Sequence, residues 1–383
     1  MKILIDAEHI KMQKSGVGYY TYNLTKALQK IDTQNIYTFL FWKLRVPKNY
    51  EPIKICAQNF KLKFVRFPYH IFYKLYKFGL GIPLNLFVRA HDLTLFTNFV
   101  RFPVFNSKSL VVIYDLSYIK YSQYADTKNF AFLTKFVPLS IKESDHIITI
   151  SESSKKEIMS YYKVPEEKIS IINPAIDKDF FKISSPKEID KIKQKYQINK
   201  NYFLFTSTLE PRKNIIGIVK SYLSLPQEIK KNYDLVLTGG QGWKDEELLQ
   251  EIKKAQDAGD KIIQTGYVPE EDLPPLYSGA TLFLYPSFYE GFGIPILEAM
   301  ACGVPVIVSR KYSMPEVGGD AALYINDPKD IDEIKSNILK IINNEDIKKE
   351  MVKKGFEQIK KFSWEESARK LVKVFEKVYR EKN

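Results

Sequence analysis

Short apolar runs, each followed by a segment with helical spacing, recur along the whole chain, and this alternation restricts the fold more than any other feature. KILID at 2–6, IYTFLFW at 36–42, SLVVIYDL at 109–116, DHIITIS at 145–151 and KISIINPAI at 168–176 read as buried strands. Residues 18–30 and the run SSKKEIMSYY have helical periodicity, and Ser151 is placed to cap the second. Strands separated by helices imply parallel β-α-β units and a doubly wound sheet. The pattern restarts near residue 200 with YFLFTST at 202–208, DLVLTGG at 234–240, KIIQTGYV at 261–268, TLFLYPS at 281–287 and PVIVS at 305–309. LPPLYSGA reads as a short helix, and IPILEAMACG as a helix stopped by Gly303. An amphipathic helix with Ser363 as its cap closes the chain. The expected architecture is α/β: two Rossmann-like, doubly wound parallel-sheet domains facing each other across a cleft, with the boundary near residue 180. Open α/β sheets bind ligands beyond the carboxyl ends of their strands, so such a cleft suits a transfer between two substrates.

Composition narrows the setting. At 383 residues and 45% hydrophobic, the chain has material for two real cores. Cys56 and Cys302 are too few for a disulfide framework and fit a reducing compartment. MKILIDAEHI is a poor signal peptide, because Asp6 interrupts a short apolar stretch. No run approaches the roughly 18 apolar residues of a membrane-spanning helix. The chain is therefore expected in the cytoplasm, soluble or peripherally bound to membrane. A net charge of +13 favours anionic partners or reflects a lysine-rich solvated surface.

SFYEGFGIPILEAMACGVPVIVS at 287–309 carries the most chemistry. Glu290 stands at a strand end before Gly291-Phe292-Gly293, and Glu298 lies one turn into the helix that follows, where it can approach the same ligand from another side. A carboxylate accepts two hydrogen bonds from the vicinal hydroxyls of a sugar or ribose. The helix start at Gly293 offers free N–H groups and a positive dipole end to a phosphate.

With these residues in view, the chain resembles the family-4 retaining glycosyltransferases of GT-B architecture over nearly its whole length, most strongly from 202 to 328. TLEPRKN at 208–214 looks like the family's E/G-x-R-K-N segment. LVLTGGQGW at 235–243, GYVPEEDLPPLYSGA at 266–280 and SMPEVGGDAALYINDP at 313–328 are similar to successive family blocks. The resemblance implies an acceptor-binding domain at 1–180, a nucleotide-sugar-binding domain at 181–363, and a helix at 364–383 packing back on the first. It implies that Arg212 and Lys213 contact the donor diphosphate in place of a metal, that Glu298 binds the ribose, and that Glu290 contacts donor-sugar hydroxyls with the backbone of Phe292, Gly293 and Ile294. Backbone around Tyr267 and Val268 would flank the base. The loop KSGVGYY, through Gly16 and Gly18, would reach the donor phosphates or acceptor, with Gly18 opening a helix.

The chain departs from the family pattern in places. Tyr19 and Glu8 stand where relatives often carry basic residues, and Tyr114-Asp115 where they often carry His-Asp. Asp115 stays a candidate for positioning the acceptor hydroxyl, or is a turn-forming acid at a loop start. Residues 60–89 hold six basic residues, nine aromatic ones and no acid. Two readings stay open there: contact with an anionic membrane or lipid-diphosphate acceptor, or a helix with a core face and a solvated face. Asp177-Lys178-Asp179 reads as a structural turn, and His146 as a core residue. The implied reaction is metal-independent, retaining transfer of a hexose, with no cofactor, to a glycan or lipid-linked acceptor. Mannose from GDP-mannose comes first and a UDP-sugar second, in surface-polysaccharide synthesis. The competing readings are a nucleotide-sugar epimerase, a catalytically dead sugar-nucleotide-binding protein and a nucleic-acid-binding protein. The Glu290/Glu298 arrangement argues against a nucleic-acid partner.

Overall fold

The computed structural model describes residues 1–12, 16–46, 50–89, 91–124, 127–240, 242 and 246–381. Lys14 and Ser15 of the first glycine loop, and Gln241 and Trp243 of the LVLTGGQGW run, lie outside them. The chain forms two compact α/β units: residues 1–119, 127–174 and 363–383 make the first, and 120–126 with 175–362 the second.

The first unit holds seven strands: β1 (Lys2–Asp6), β2 (Ile36–Trp42), β3 (Phe60–Val65), β4 (Leu93–Phe96), β5 (Lys108–Val112), β6 (His146–Thr149) and β7 (Ile169–Ile171). Their spatial order is β3-β2-β1-β4-β5-β6-β7, and every pair is parallel. The central strands are buried along almost their entire length, as parallel strands covered on both faces must be. The helix Glu152–Tyr162 is capped by Ser151, which accepts from the Ser154 N–H. The helix Trp364–Arg380 is capped by Ser363 in the same way and lies along the helix Gly16–Ile31. Ser367 Oγ, near its start, donates to the Asn173 carbonyl at 2.6 Å.

Residues 60–89 are not a single amphipathic helix. They form edge strand β3, then the helix Tyr69–Lys77. The alternation in FKLKFV is a strand signal, with Lys61 and Lys63 exposed on an edge that lysine protects from further pairing. All six basic residues of the segment are exposed, whereas most of its aromatic rings pack inward. Phe72 stacks against Trp42 with ring centroids 4.3 Å apart. Phe78 is an exception at 81% exposure, and the leucines Leu80 and Leu86 are also exposed, at 61% and 74%.

The second unit repeats the plan with β8 (Asn201–Thr206), β9 (Tyr233–Thr238), β10 (Ile262–Gly266), β11 (Leu282–Tyr285), β12 (Val306–Ser309) and β13 (Ala322–Ile325). Its order is β10-β9-β8-β11-β12-β13, again all parallel. In both sheets strand order reverses beside the unit's first strand, between β1 and β4 and between β8 and β11. Such a switch point opens a crevice at the carboxyl ends of the two strands, because their connections leave in opposite directions.

Two glycines allow the loops at the second switch point to touch. A Cβ on Gly239, at φ +145°, would sit 1.8 Å from the Ser207 carbonyl oxygen, and one on Gly242 would sit 2.1 Å from that of Leu209. The loop after β9 therefore lies directly on the backbone of the loop after β8, and only glycine permits that spacing.

Candidate functional site

The loop after β8 carries Glu210, Arg212 and Lys213, and the loop after β11 carries Ser287 and Glu290. The switch point brings them together. Lys213 is buried, and its Nζ donates to Glu290 Oε1 at 2.6 Å and to the Tyr285 hydroxyl at 2.9 Å. Arg212 donates from Nη1 to the Tyr289 carbonyl at 2.5 Å and to Glu290 Oε2 at 3.3 Å, and from Nη2 to Glu210 Oε1. Both oxygens of Glu290 thus face cations, and Arg212 bridges two buried carboxylates.

Next to this pair Asn214 takes a left-handed turn at φ +57° before the helix Ile215–Leu223. Its amide donates to the carbonyls of Pro286 at 3.2 Å and Pro328 at 2.5 Å, joining the β8 loop to two others. Asparagine tolerates this backbone conformation better than most residues.

The charges set one another. Burial by itself raises the Glu290 carboxyl, but Lys213 and then Arg212 outweigh it and hold the group down to about 2. Burial lowers the Lys213 ammonium, and Glu290 opposes that only in part. Glu290 therefore stays ionised at neutral pH and accepts hydrogen bonds. It has no proton to give, so it cannot serve as a general acid there.

Gly293, at φ +107°, starts the helix Ile294–Ala301, with Pro295 in its first turn. No side chain caps this end; Pro295 has no N–H, and the Ile296 N–H donates to the Gly293 carbonyl at 3.0 Å. Ser313 is fully buried, and its hydroxyl reaches the carbonyls of Glu290 at 2.8 Å and Phe292 at 2.9 Å, which fixes the intervening backbone. Phe292 is buried edge-on against Phe362, and Ile294 is half-buried.

Glu298 is not in the ion cluster. Its Oε2 accepts from the Tyr277 hydroxyl at 2.8 Å. Burial pushes its carboxyl up to about 7, against the Tyr277 bond and with help from the charge of Glu270. After β10, Tyr267 is 53% exposed and Val268 is buried.

The remaining expected residues belong to the first unit. Asp115 Oδ1 accepts from the Ser117 N–H at 2.8 Å, the turn-forming arrangement at the start of the helix Ser117–Lys120. Tyr114 is buried, with its hydroxyl donating to the Thr97 carbonyl at 2.8 Å and its ring edge-on to Tyr20. It is a core residue. Glu8 accepts from the Trp42 N–H at 2.8 Å. Gly16, not Gly18, opens the first helix; Gly18 is buried two residues further on, and among the described residues nothing beyond its own chain neighbours and helix backbone comes within 4 Å of where a Gly16 Cβ would be. Asp177 closes a turn onto the N–H groups of Asp179 and Phe180, as a structural D-x-D would. His146 is buried and bonded to Ser170 at 2.9 Å.

Glu210, Tyr277, Tyr285 and Ser313 are among the residues of this site that carry no role in the sequence reading. Glu210 stands inside TLEPRKN, and the acid two residues before Arg212 was its only signal. Tyr277 and Tyr285 were legible only as hydroxyls in otherwise apolar surroundings, which need a buried partner.

Comparison with known proteins identifies the family and the fold. Residues 188–358 match the family model of glycosyl transferases group 1, and residues 14–180 that of glycosyltransferase family 4. O-antigen chain mannosyltransferase B of Escherichia coli is 38% identical over 269 residues, 70% of this chain and 70% of that protein. The serotype-specific mannosyltransferase WbdA of Escherichia coli is 32% identical over 68% of this chain, but the match spans only 32% of WbdA. Among solved structures, sucrose-phosphate synthase from Thermosynechococcus elongatus superposes with a TM-score of 0.76 at 17% identity, covering 99% of each chain. HepE of Anabaena in complex with UDP and glucose gives a TM-score of 0.70 at 13% identity, covering 98% of this chain and 99% of that one. These likenesses establish the fold, two parallel-sheet α/β domains of the GT-B class.

Proposed function

The chain belongs to the family-4 glycosyltransferases of the GT-B fold, and from that premise we propose that it moves a hexose, mannose first, from a nucleoside-diphosphate sugar to a hydroxyl of a glycan or lipid-linked acceptor, with retention and without a metal. One observation carries the reading. Two cations, two carboxylates and an uncapped helix start meet at the switch point of the second sheet.

The chemistry follows from those charges. As the anomeric carbon–oxygen bond breaks, the leaving diphosphate gains negative charge. Arg212, Lys213 and the positive end of the helix that starts at Gly293 stabilise that charge. A preformed set of cations there does the electrostatic work a divalent ion would otherwise do. Arg212 is pre-oriented by three acceptors, so little reorganisation is needed when the charge appears. Glu290, kept ionised, accepts hydrogen bonds from the sugar hydroxyls and orients the donor. Glu298 accepts from the ribose diol, and the backbone at Tyr267 and Val268 flanks the base. In front-face attack the acceptor hydroxyl forms its bond to the anomeric carbon on the side the diphosphate leaves, and a departing phosphate oxygen takes its proton. Asp115 positions that hydroxyl, and the Gly16–Gly18 segment approaches the phosphates.

The relatives named as mannosyltransferases of O-antigen support mannose and surface polysaccharide. HepE, solved with UDP and glucose, supports a nucleoside-diphosphate donor. For the acceptor, exposed Phe78, Leu80 and Leu86 stand among the exposed lysines and arginines of 60–89, which suits peripheral contact with an anionic membrane. No helix among the described residues is long and apolar enough to cross a membrane.

The test is a thermal-shift and turnover panel of GDP-mannose, UDP-glucose, GDP and UDP with EDTA present. GDP-mannose should raise Tm according to RT ln(1 + [L]/Kd) and be consumed when a lipid-linked glycan is added. If no nucleotide at millimolar concentration moves Tm, the reading is wrong. If nucleotides bind but no sugar is ever transferred, the chain is a sugar-nucleotide-binding protein without catalysis.

A further inference from the structure

Tyr277 belongs to the short helix Leu273–Ser278, and its ring is fully buried, edge-on to Phe283 at 5.5 Å and to Phe181 at 6.3 Å. The helix is itself fixed. Tyr202, on β8, donates its hydroxyl to the Leu276 carbonyl at 2.6 Å, and a Cβ at Gly279 would meet that same hydroxyl at 2.6 Å. Asp272, just before the helix, is bound by Lys195 and by Tyr196 at 2.7 Å. Pro274 and Pro275 stiffen its first turn. A phenol held on all these sides donates to Glu298 Oε2 at 2.8 Å, with the Thr206 hydroxyl beside it.

The Glu298 side chain is only partly buried, whereas Tyr277 is wholly so. The bond therefore occupies one carboxylate oxygen from the protein side. We propose that Tyr277 is a positioning residue for nucleotide binding, holding the Glu298 carboxylate so that its other oxygen meets the ribose diol. This rests on the assignment of Glu298 to the ribose. Three groups titrate around Glu298: Tyr277 on its helix, Glu270 ahead of that helix, and Cys302 one turn along Glu298's own helix. Glu270 favours the neutral acid, and Cys302 is a thiol pushed up to about 12 by burial, so it stays uncharged. Tyr277 alone donates to the carboxylate and favours its ionised form. Its own hydroxyl is raised well above the usual range by burial and by Glu298, so it keeps its proton. A hydrogen bond to a charged group in such surroundings is worth more than a neutral one.

The experiment measures GDP and UDP dissociation constants by calorimetry from pH 6.5 to 8.5 for wild type, Tyr277→Phe and Glu298→Gln. Wild type should bind less tightly as pH falls through 7, and Glu298→Gln should bind weakly at every pH. Tyr277→Phe should lose about tenfold below pH 7 and recover to within about twofold of wild type at pH 8.5, because the missing donor moves the Glu298 titration upward. A loss of equal size at all pH values would make Tyr277 merely structural and overturn the proposal, as would a profile identical to wild type. If Glu298→Gln binds nucleotide like wild type, the ribose assignment itself fails and this inference falls with it. Should Tyr277→Phe not fold, 3-fluorotyrosine placed at 277 keeps the ring, strengthens the donor, and should move the wild-type profile to lower pH. No movement would overturn the proposal.

Discussion

Glu290→Gln removes the charge that ties Lys213 and Arg212 to the β11 loop while preserving size. A carboxyl held at about 2 in the fold, against its ordinary value of 4.5, contributes about 3 kcal/mol to stability at neutral pH. The group is only 7% exposed, so solvent screens little of this. The pKa is depressed, so the contribution is complete above the unfolded value of 4.5 and disappears as pH falls toward 2. Glu290→Gln should therefore be about 3 kcal/mol less stable than wild type at pH 7, and the gap should narrow to about 1 kcal/mol at pH 3. For a unit of this size the pH 7 loss is a Tm drop of roughly 6–12 °C. Urea unfolding followed by fluorescence at pH 7, 5 and 3 reads both numbers. A difference below about 1 kcal/mol at pH 7, or one that stays constant down to pH 3, would show that the ion cluster does not hold Glu290 as argued.

Three further outcomes follow from the geometry. Arg212→Ala should lower kcat by roughly 100- to 1,000-fold, and Arg212→Lys should recover stability measured by urea midpoint better than it recovers turnover, since one ammonium cannot span Glu210, Glu290 and the Tyr289 carbonyl. Gly239→Ala should cost roughly 3 kcal/mol or more, or prevent folding, because its Cβ would lie 1.8 Å from a carbonyl oxygen; Gly16→Ala, with open space around it, should change Tm little and raise the KM for donor if that loop approaches the phosphates. Ser363→Ala should lower stability by about 1 kcal/mol through loss of the helix cap, seen in the same urea assay.

Much of the fold was legible because its signals are local. β1 and β2 have the limits read from KILID and IYTFLFW, because a strand buried on both faces is a continuous apolar run. Ser151 and Ser363 cap the helices expected of them, since a cap depends on neighbours three residues away. β3 was hidden because lysines on an edge strand and aromatics on its inner face resemble an amphipathic helix in composition. β4, only four residues long, offered too little pattern. The candidate site was legible as residue types and not as partners. Nothing in sequence pairs Lys213 with Glu290, or Tyr277 with Glu298, since those contacts depend on where two loops and two helices meet in space. Tyr114 shows the converse: a departure from the family pattern, plain in the sequence, sits in the core.

The helix Trp364–Arg380 completes the first unit although about 190 residues separate it from Pro174. Synthesis at roughly 5–20 residues per second delivers it some 10–40 s after the rest of that unit has emerged. Until then the side of the helix Gly16–Ile31 that it covers has no permanent cover, so the nascent N-terminal part waits, unfinished, while the whole second unit is made. Production of this protein should accordingly be more sensitive to pauses between Pro174 and Trp364 than to a slow start.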